Sequence, residues 1–376
     1  LDEAEKWFRE GLERALAENA PSVEKSARQR LIDTLLQAQD FAREQDLKNE
    51  IDAFRKKFED DPYAFLAETQ YHLNAGRLSE ALVAINSFIE RRPDNAYGRV
   101  LRGHIYYTRS LWQLALDDYR AAKGLDPKGF NYHHRIRLAM CLENLGQNDV
   151  AVAELNTILA DEPQFVPAID ELQRIYTKLS QWQQAEDMLD ARRKADPENP
   201  DWDLRLMLLY RASRDADKAV RAGLNATQKA RFDPVTIEPL LQTYLFFERY
   251  DDLIRFTTER LPADKRQATV IDLLTAAAYA GKGDRGHALQ RYNQVLDALA
   301  DNVEMFITVG ADLKKRLGSQ TAMEVFQQRL QTKPDERPSR LAVGALQKEA
   351  GERDAYLNTI KDLLQSVPQS DEPRFR

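Results

Sequence analysis

Proline recurs along this chain at a nearly constant interval. Pro62, Pro93, Pro127, Pro163 and Pro197 are separated by 31, 34, 36 and 34 residues, and Pro334 and Pro368 again by 34. Each follows a run with the apolar spacing of a helix. A proline lacks the N–H of the helical ladder and its ring clashes with the preceding turn, so it closes such a run. A long interval separates Pro197 from Pro334, and elsewhere a stop every ~34 residues marks off pieces long enough for two helices and a turn. Glycine and proline number only 15 each in 376 residues, which leaves little for long loops or many β-turns. With 43% hydrophobic and 31% charged residues, the chain has the makings of a folded array and not of a disordered one.

Inside the pieces the same residue types return. From Ala96 to Gly129, Gly103 and Tyr106 fall on one helix, Ala115, Tyr119 and Ala122 on the next, and Pro127 closes the unit. The flanking pieces carry Gly76, Ala81, Ile85 and Phe88 on one side and Leu138, Ala139, Gly146, Ala151 and Leu155 on the other. Ala276, Tyr279, Gly283, Ala288 and Tyr292 repeat the theme farther on. The physical demand is close approach. Two helices cross at ~8–10 Å only where a small residue faces the partner, and aromatic or aliphatic residues at i, i+3, i+4 fill the space between hairpins. In identity and spacing this pattern resembles the tetratricopeptide repeat family. The resemblance implies an all-α fold over residues 1–376, a right-handed superhelical solenoid of about nine helix–turn–helix units. It implies binding of a partner on the surface lined by the first helices.

The pattern weakens in two places. Between Pro200 and Asp264, Gly223 replaces an expected large residue and Leu253 replaces the crossing alanine, so a joint is expected near 224–268. In the N-terminal unit Glu50 stands where alanine is usual. Residues 1–19 read as a partial repeat, with Ala4 and Phe8 at second-helix spacing, a linker over Glu18 to Glu24 and a new helix near Ser26. These ends are expected of a segment cut from a longer protein.

Little in the sequence points to catalysis, and the chain is read as a non-enzyme without cofactor or metal. Gly281, Gly283 and Gly286 spell GxGxxG, but a dinucleotide site needs a strand before the motif, and here it falls in a turn between repeat helices. The five histidines, His72, His104, His133, His134 and His287, form no HExxH or similar ligand spacing, although His104 and His133 are placed to approach on adjacent first helices. The single cysteine, Cys141, sits among Leu138, Ala139 and Leu142 and reads as packing. A formal charge of -7 argues against a nucleic-acid partner, which needs a basic face. The longest near-apolar run, Leu273 to Ala280, falls short of the ~18 residues of a membrane span, and cytoplasm and periplasm stay equally open.

Periodicity places Tyr97, His104 and Tyr107 on the exposed side of one first helix, His133, Met140 and Asn144 on the next, then Arg174 and Lys178, then Arg211. An aromatic patch running into a basic one suits an extended protein or peptide segment with an apolar anchor and an acidic group. The competing reading is that the tyrosines cover the stack and the cations pair with local acids such as Asp170. Some tetratricopeptide co-chaperones hold a terminal carboxylate with Lys and Asn on first helices. Val100 and His104 stand at those positions here, which counts against that use. The expectation is a scaffold or adaptor. The alternatives left open are a docking region of a larger enzyme or envelope-assembly protein, and self-association through uncapped ends.

Overall fold

The computed structural model describes residues 2–38, 43–262, 269–299 and 302–365. Pro368 and part of the expected joint lie outside them. The chain divides into two compact units, Leu1–Leu179 and Ser180–Arg376. Among the described residues both are purely helical.

The first unit runs α1 (Asp2–Ala17), α2 (Pro21–Ala38), α3 (Glu44–Lys57), α4 (Pro62–Asn74), α5 (Leu78–Arg91), α6 (Ala96–Thr108), α7 (Trp112–Leu125), α8 (Tyr132–Asn144), α9 (Asn148–Asp161) and α10 (Val166–Lys178). The second runs α11 (Trp182–Ala195), α12 (Pro200–Ala212), α13 (Ala216–Lys229), α14 (Pro234–Phe246), α15 (Tyr250–Arg255), α16 (Thr269–Lys282), α17 (Arg285–Ala298), α18 (Val303–Leu317), α19 (Ser319–Thr332), α20 (Arg337–Ala350) and α21 (Arg353–Gln365). Consecutive helices pair as hairpins, for example α4 with α5, α6 with α7 and α12 with α13.

Starts and stops follow the residues. Asn95 accepts the Gly98 N–H at 2.8 Å, Asn131 that of His134 at 3.1 Å and Asp61 that of Tyr63 at 2.9 Å. Each such cap is worth ~1 kcal/mol. Pro93, Pro127, Pro163, Pro197 and Pro334 lie in the loops after second helices, as the spacing predicts. Pro62 does not close a helix. It opens α4, as Pro200 and Pro234 open α12 and α14, because a proline N–H would be unpaired in a first turn anyway. The same preference starts α2 at Pro21, earlier than the Ser26 expected from apolar spacing. The turn inside several hairpins holds one left-handed residue. Gly76, Gly146 and Gly283 fill it at φ of 70°, 78° and 85°, whereas Ser110, Arg214 and Glu248 adopt it at 58°, 64° and 57°.

The small residues sit where backbones approach. A methyl group on Gly103 would meet Tyr119 Cε1 at 2.9 Å, and one on Gly98 would meet Phe88 Cε1 at 2.7 Å. Ala115, Tyr119 and Ala122 are fully buried. In the first unit hydrophobic packing passes from one hairpin to the next: Phe65 of α4, Ile85 and Phe88 of α5, and Leu101 and Ile105 of α6 form one cluster. Such packing between hairpins is how a repeat array is stabilised.

Both irregular places have physical causes. Glu50 is tolerated because Arg28 Nη1 binds it at 2.6 Å, and Arg28 also reaches the buried Glu24. Leu253, standing for the crossing alanine, is fully buried, and its helix leaves α geometry three residues on for a π turn over Phe256–Arg260. Gly223 lies tight against Met207 and Leu240, where a methyl would meet sulfur at 2.7 Å and Leu240 Cδ1 at 2.8 Å. The GxGxxG glycines have packing roles too: Gly283 is the left-handed turn residue, and a methyl on Gly281 would collide with the Tyr250 ring at 2.5 Å.

Candidate functional site

In the first unit the first helices α6, α8 and α10 carry most of the expected binding residues. Helical geometry brings some of them together and separates others. Tyr107, one residue before the end of α6, donates its hydroxyl to Met140 Sδ of α8 at 3.6 Å. Trp112, opening α7, meets the Tyr107 ring edge-on at 5.1 Å. The Arg137 guanidinium lies over the same ring at 5.6 Å. Asn144 donates to the Met140 carbonyl at 2.8 Å and is exposed. Tyr107, Arg137, Met140, Trp112 and Asn144 are therefore one strip. Tyr97 is half exposed but lies ten residues back along α6, or ~15 Å, and is not part of it.

His104 faces inward from this strip. Its ring lies 5.7 Å from that of Tyr119 and 5.8 Å from that of His134. Sequence spacing pairs His104 with His133, and the structure corrects this. One residue on a helix is a ~100° rotation, and it sends His133 outward against Phe165 at 5.5 Å while His134 meets His104. Burial, reinforced by the Arg137 and His134 charges, draws the His104 pKa down to about 4. Burial likewise pushes the Cys141 thiol up to about 12, in keeping with a packing role.

The basic end of the patch is not free. Lys178 Nζ binds Glu143 Oε1 at 2.5 Å and Arg174 Nη2 binds Glu143 Oε2 at 3.1 Å, while Arg174 also reaches Glu171 at 2.8 Å. Only 3% of the Glu143 side chain is exposed. Burial acts against its charge, but the hydrogen bonds from Arg174 and Lys178 outweigh burial and hold the carboxyl below its usual range. The two cations are thus a clamp between α8 and α10. Replacing both, Arg174→Ala with Lys178→Ala, strands a buried carboxylate. Breaking a fully buried pair costs ~3–5 kcal/mol. Solvent screening reduces that cost here, because the cations are 43% and 60% exposed. The expected loss is ~1–2 kcal/mol in urea unfolding at pH 7. Adding Glu143→Gln should recover part of it, and no recovery would show that the pairing is not the cause.

Arg211 belongs to the second unit. Its guanidinium lies 5.0 Å from the Phe246 ring centroid, and burial lowers its pKa. Sequence reasoning does not single out Arg137, Trp112, Glu143 or Phe246. The signal is present in part, since Arg137 lies three residues before Met140 on α8. Clefts elsewhere in the first unit do not include the strip. One of about 750 Å³ is lined by Lys57, Tyr63 and Arg92 among others, and one of about 550 Å³ by Lys123, Phe130 and Arg135. Among the described residues no three His, Cys, Asp or Glu gather as a metal site, and no helix is long and apolar enough to cross a membrane.

Hairpins of paired helices, small residues at the crossings and a period of ~34 define a tetratricopeptide-type helical repeat array. Similar solved structures are of that kind. A tetratricopeptide repeat protein from Parabacteroides merdae is 17% identical, with 68% of this chain and 98% of that one covered and a TM-score of 0.41. The C-terminal part of a TPR repeat-containing protein from Cytophaga hutchinsonii is 11% identical over 73% and 98%, with a TM-score of 0.42. PilW, a type IV pilus biogenesis factor, is 20% identical over 59% and 98%, with a TM-score of 0.44. No family model matches the chain, and no curated protein matches it.

Proposed function

We propose that the array is a protein-binding scaffold whose first unit holds an extended partner segment along the Tyr107 strip. The observation that carries the reading is the state of Tyr107. Its ring is only half buried, Trp112 and Arg137 flank it, and no carboxylate pairs with Arg137 among the described residues. Tyrosine, tryptophan and arginine together are the residue types that dominate binding energy at interfaces. Met140 beside them adds an adaptable apolar surface. His133 and Asn144, both exposed, extend the strip along α8, and Tyr97 offers a second contact farther along α6. Arg174 and Lys178 act in this reading through Glu143, by fixing α10 against α8.

The test is quantitative capture from lysate of the source organism, comparing the wild-type chain with Tyr107→Ala plus Arg137→Gln. Helicity must be equal by circular dichroism. A partner held by the wild type and retained at least about tenfold less by the variant is the expected result, since hot-spot truncations cost ~2 kcal/mol or more. Equal retention of every captured protein would remove the strip from the account.

A further inference from the structure

Several buried carboxylates of this array are held by cations from neighbouring segments. Glu24 is held by Arg28 and Lys57, Asp118 by Arg99 and Arg102, and Asp203 by Arg193 and Lys229, with side chains only 1–4% exposed. Some exposed cations are paired as well: Lys218 with Glu186, Arg249 with Asp217 and Lys282 with Asp251. Arg211 and Arg214 are placed differently. Among the described residues neither has a carboxylate partner, and both lie on one aromatic ring, with guanidinium carbons 5.0 and 4.6 Å from the Phe246 centroid.

That arrangement leaves a need for negative charge. The ring face offers each guanidinium only ~0.5–1 kcal/mol. The two like charges share one ring and repel each other. The site is held in place from two elements. Arg211 comes from the last turn of α12, Arg214 from the left-handed position of the following turn, and Phe246 is the last residue of α14. Apolar surface adjoins it. Phe246 is 39% exposed, Phe247 stands edge-on to it at 4.9 Å, and Leu208, one turn before Arg211, is 49% exposed. The whole chain carries a formal charge of -7, and this spot presents two arginines on one partly exposed aromatic ring.

We propose that Arg211, Arg214 and Phe246, with Leu208 and Phe247 beside them, form a docking clamp for an extended protein segment that carries a carboxylate side chain next to an apolar one. The proposal rests on the reading of the array as a protein-binding scaffold, but it places a separate contact in the second unit. The planar guanidinium suits a carboxylate through two parallel N–H···O bonds. The exposed part of Phe246 then receives the neighbouring apolar side chain. Charge complementarity chooses the occupant, and the aromatic and leucine surface chooses a protein segment over a bare anion.

The experiment is fluorescence anisotropy with the full chain and an end-capped peptide of alternating glutamate and leucine. Its glutamine counterpart and a single-stranded thymidine oligonucleotide serve as comparison probes. The glutamate peptide should bind, the glutamine peptide at least about tenfold more weakly. Arg211→Gln with Arg214→Gln should weaken the glutamate peptide by a similar factor, and Phe246→Ala should weaken both peptides, at unchanged helicity. The Tyr107→Ala, Arg137→Gln variant is measured beside them, to separate binding at the first-unit strip from binding at this site. The clamp is overturned if the wild type does not bind the glutamate peptide, if the double arginine variant binds it equally, or if the oligonucleotide binds more tightly through the same arginines. Loss of peptide binding in the Tyr107 variant alone would move the acidic contact to the first-unit strip and reject the clamp while sparing the scaffold reading. Loss in the arginine variant alone supports the clamp whatever the strip captures.

Discussion

Ala115→Trp will destabilise the first unit by about 3 kcal/mol, seen as a lower urea midpoint. Ala115 is fully buried on α7, with Leu116, Tyr119 and Ala122 buried around it. The space between α6 and α7 is already filled. A single methyl on Gly103 would come within 2.9 Å of the Tyr119 ring, so an indole next to that crossing has no room without moving a helix. In a stacked array each hairpin depends on its neighbours, and a displaced α7 loosens its packing against both α6 and α8. The control is Leu114→Trp, one residue away on the same helix but 46% exposed. It should change stability by less than ~0.5 kcal/mol, as surface substitutions do. Equal midpoints for the two variants would mean that the register assigned to α7 is wrong.

That register is legible in the sequence because it is set by size. Gly103, Ala115 and Ala122 recur at fixed spacing since a backbone approach tolerates nothing larger, and prolines recur because the connection between hairpins tolerates no helix. Constraints of this kind repeat in every unit and so rise above chance. The candidate site does not repeat, and its legibility is correspondingly partial. Periodicity tells which side of α8 carries Met140, yet cannot tell that Arg137 reaches across to Tyr107 of α6, because side-chain reach between helices depends on their relative shift. For the same reason spacing alone pairs His104 with His133, whereas the shift selects His134. The cations Arg174 and Lys178 read as a binding patch because Glu143, their shared partner, is 31 and 35 residues away in sequence. Phe246 escapes notice for a similar reason. It belongs to α14, outside the best-matching repeats, and only the fold lays it under Arg211 and Arg214.

The histidine cluster beneath the strip gives the other large effect: between pH 7 and pH 5 the first unit should lose about 2 kcal/mol of stability through His104. The groups facing one another are His104 on α6, Tyr119 on α7, and His134 and Arg137 on α8. His104 Nε2, His134 Nδ1 and the Tyr119 hydroxyl are all shielded from solvent without a hydrogen-bond partner among the described residues. A proton added to His104 therefore gains no acceptor there and meets the Arg137 charge. Burial is the main cause of the pKa near 4, against an ordinary value of 6.5. The sign follows from which state binds the proton more readily. The unfolded chain takes it up as pH falls through 6.5, while the folded unit resists until about 4, so the contribution is complete above pH 6.5 and fades as pH falls through that interval. His134 and His72 are shifted downward as well, again chiefly by burial, and act in the same direction. The carboxylates of Glu24, Glu143 and Glu154 are held below their usual range, so their contributions are lost only at lower pH. His104→Phe keeps a ring for Tyr119 and His134 to pack against but cannot take the proton. Urea midpoints measured at pH 7 and pH 5 should fall steeply for the wild type and much less for this variant. Parallel falls in the two proteins would show that the acid sensitivity of the first unit arises elsewhere.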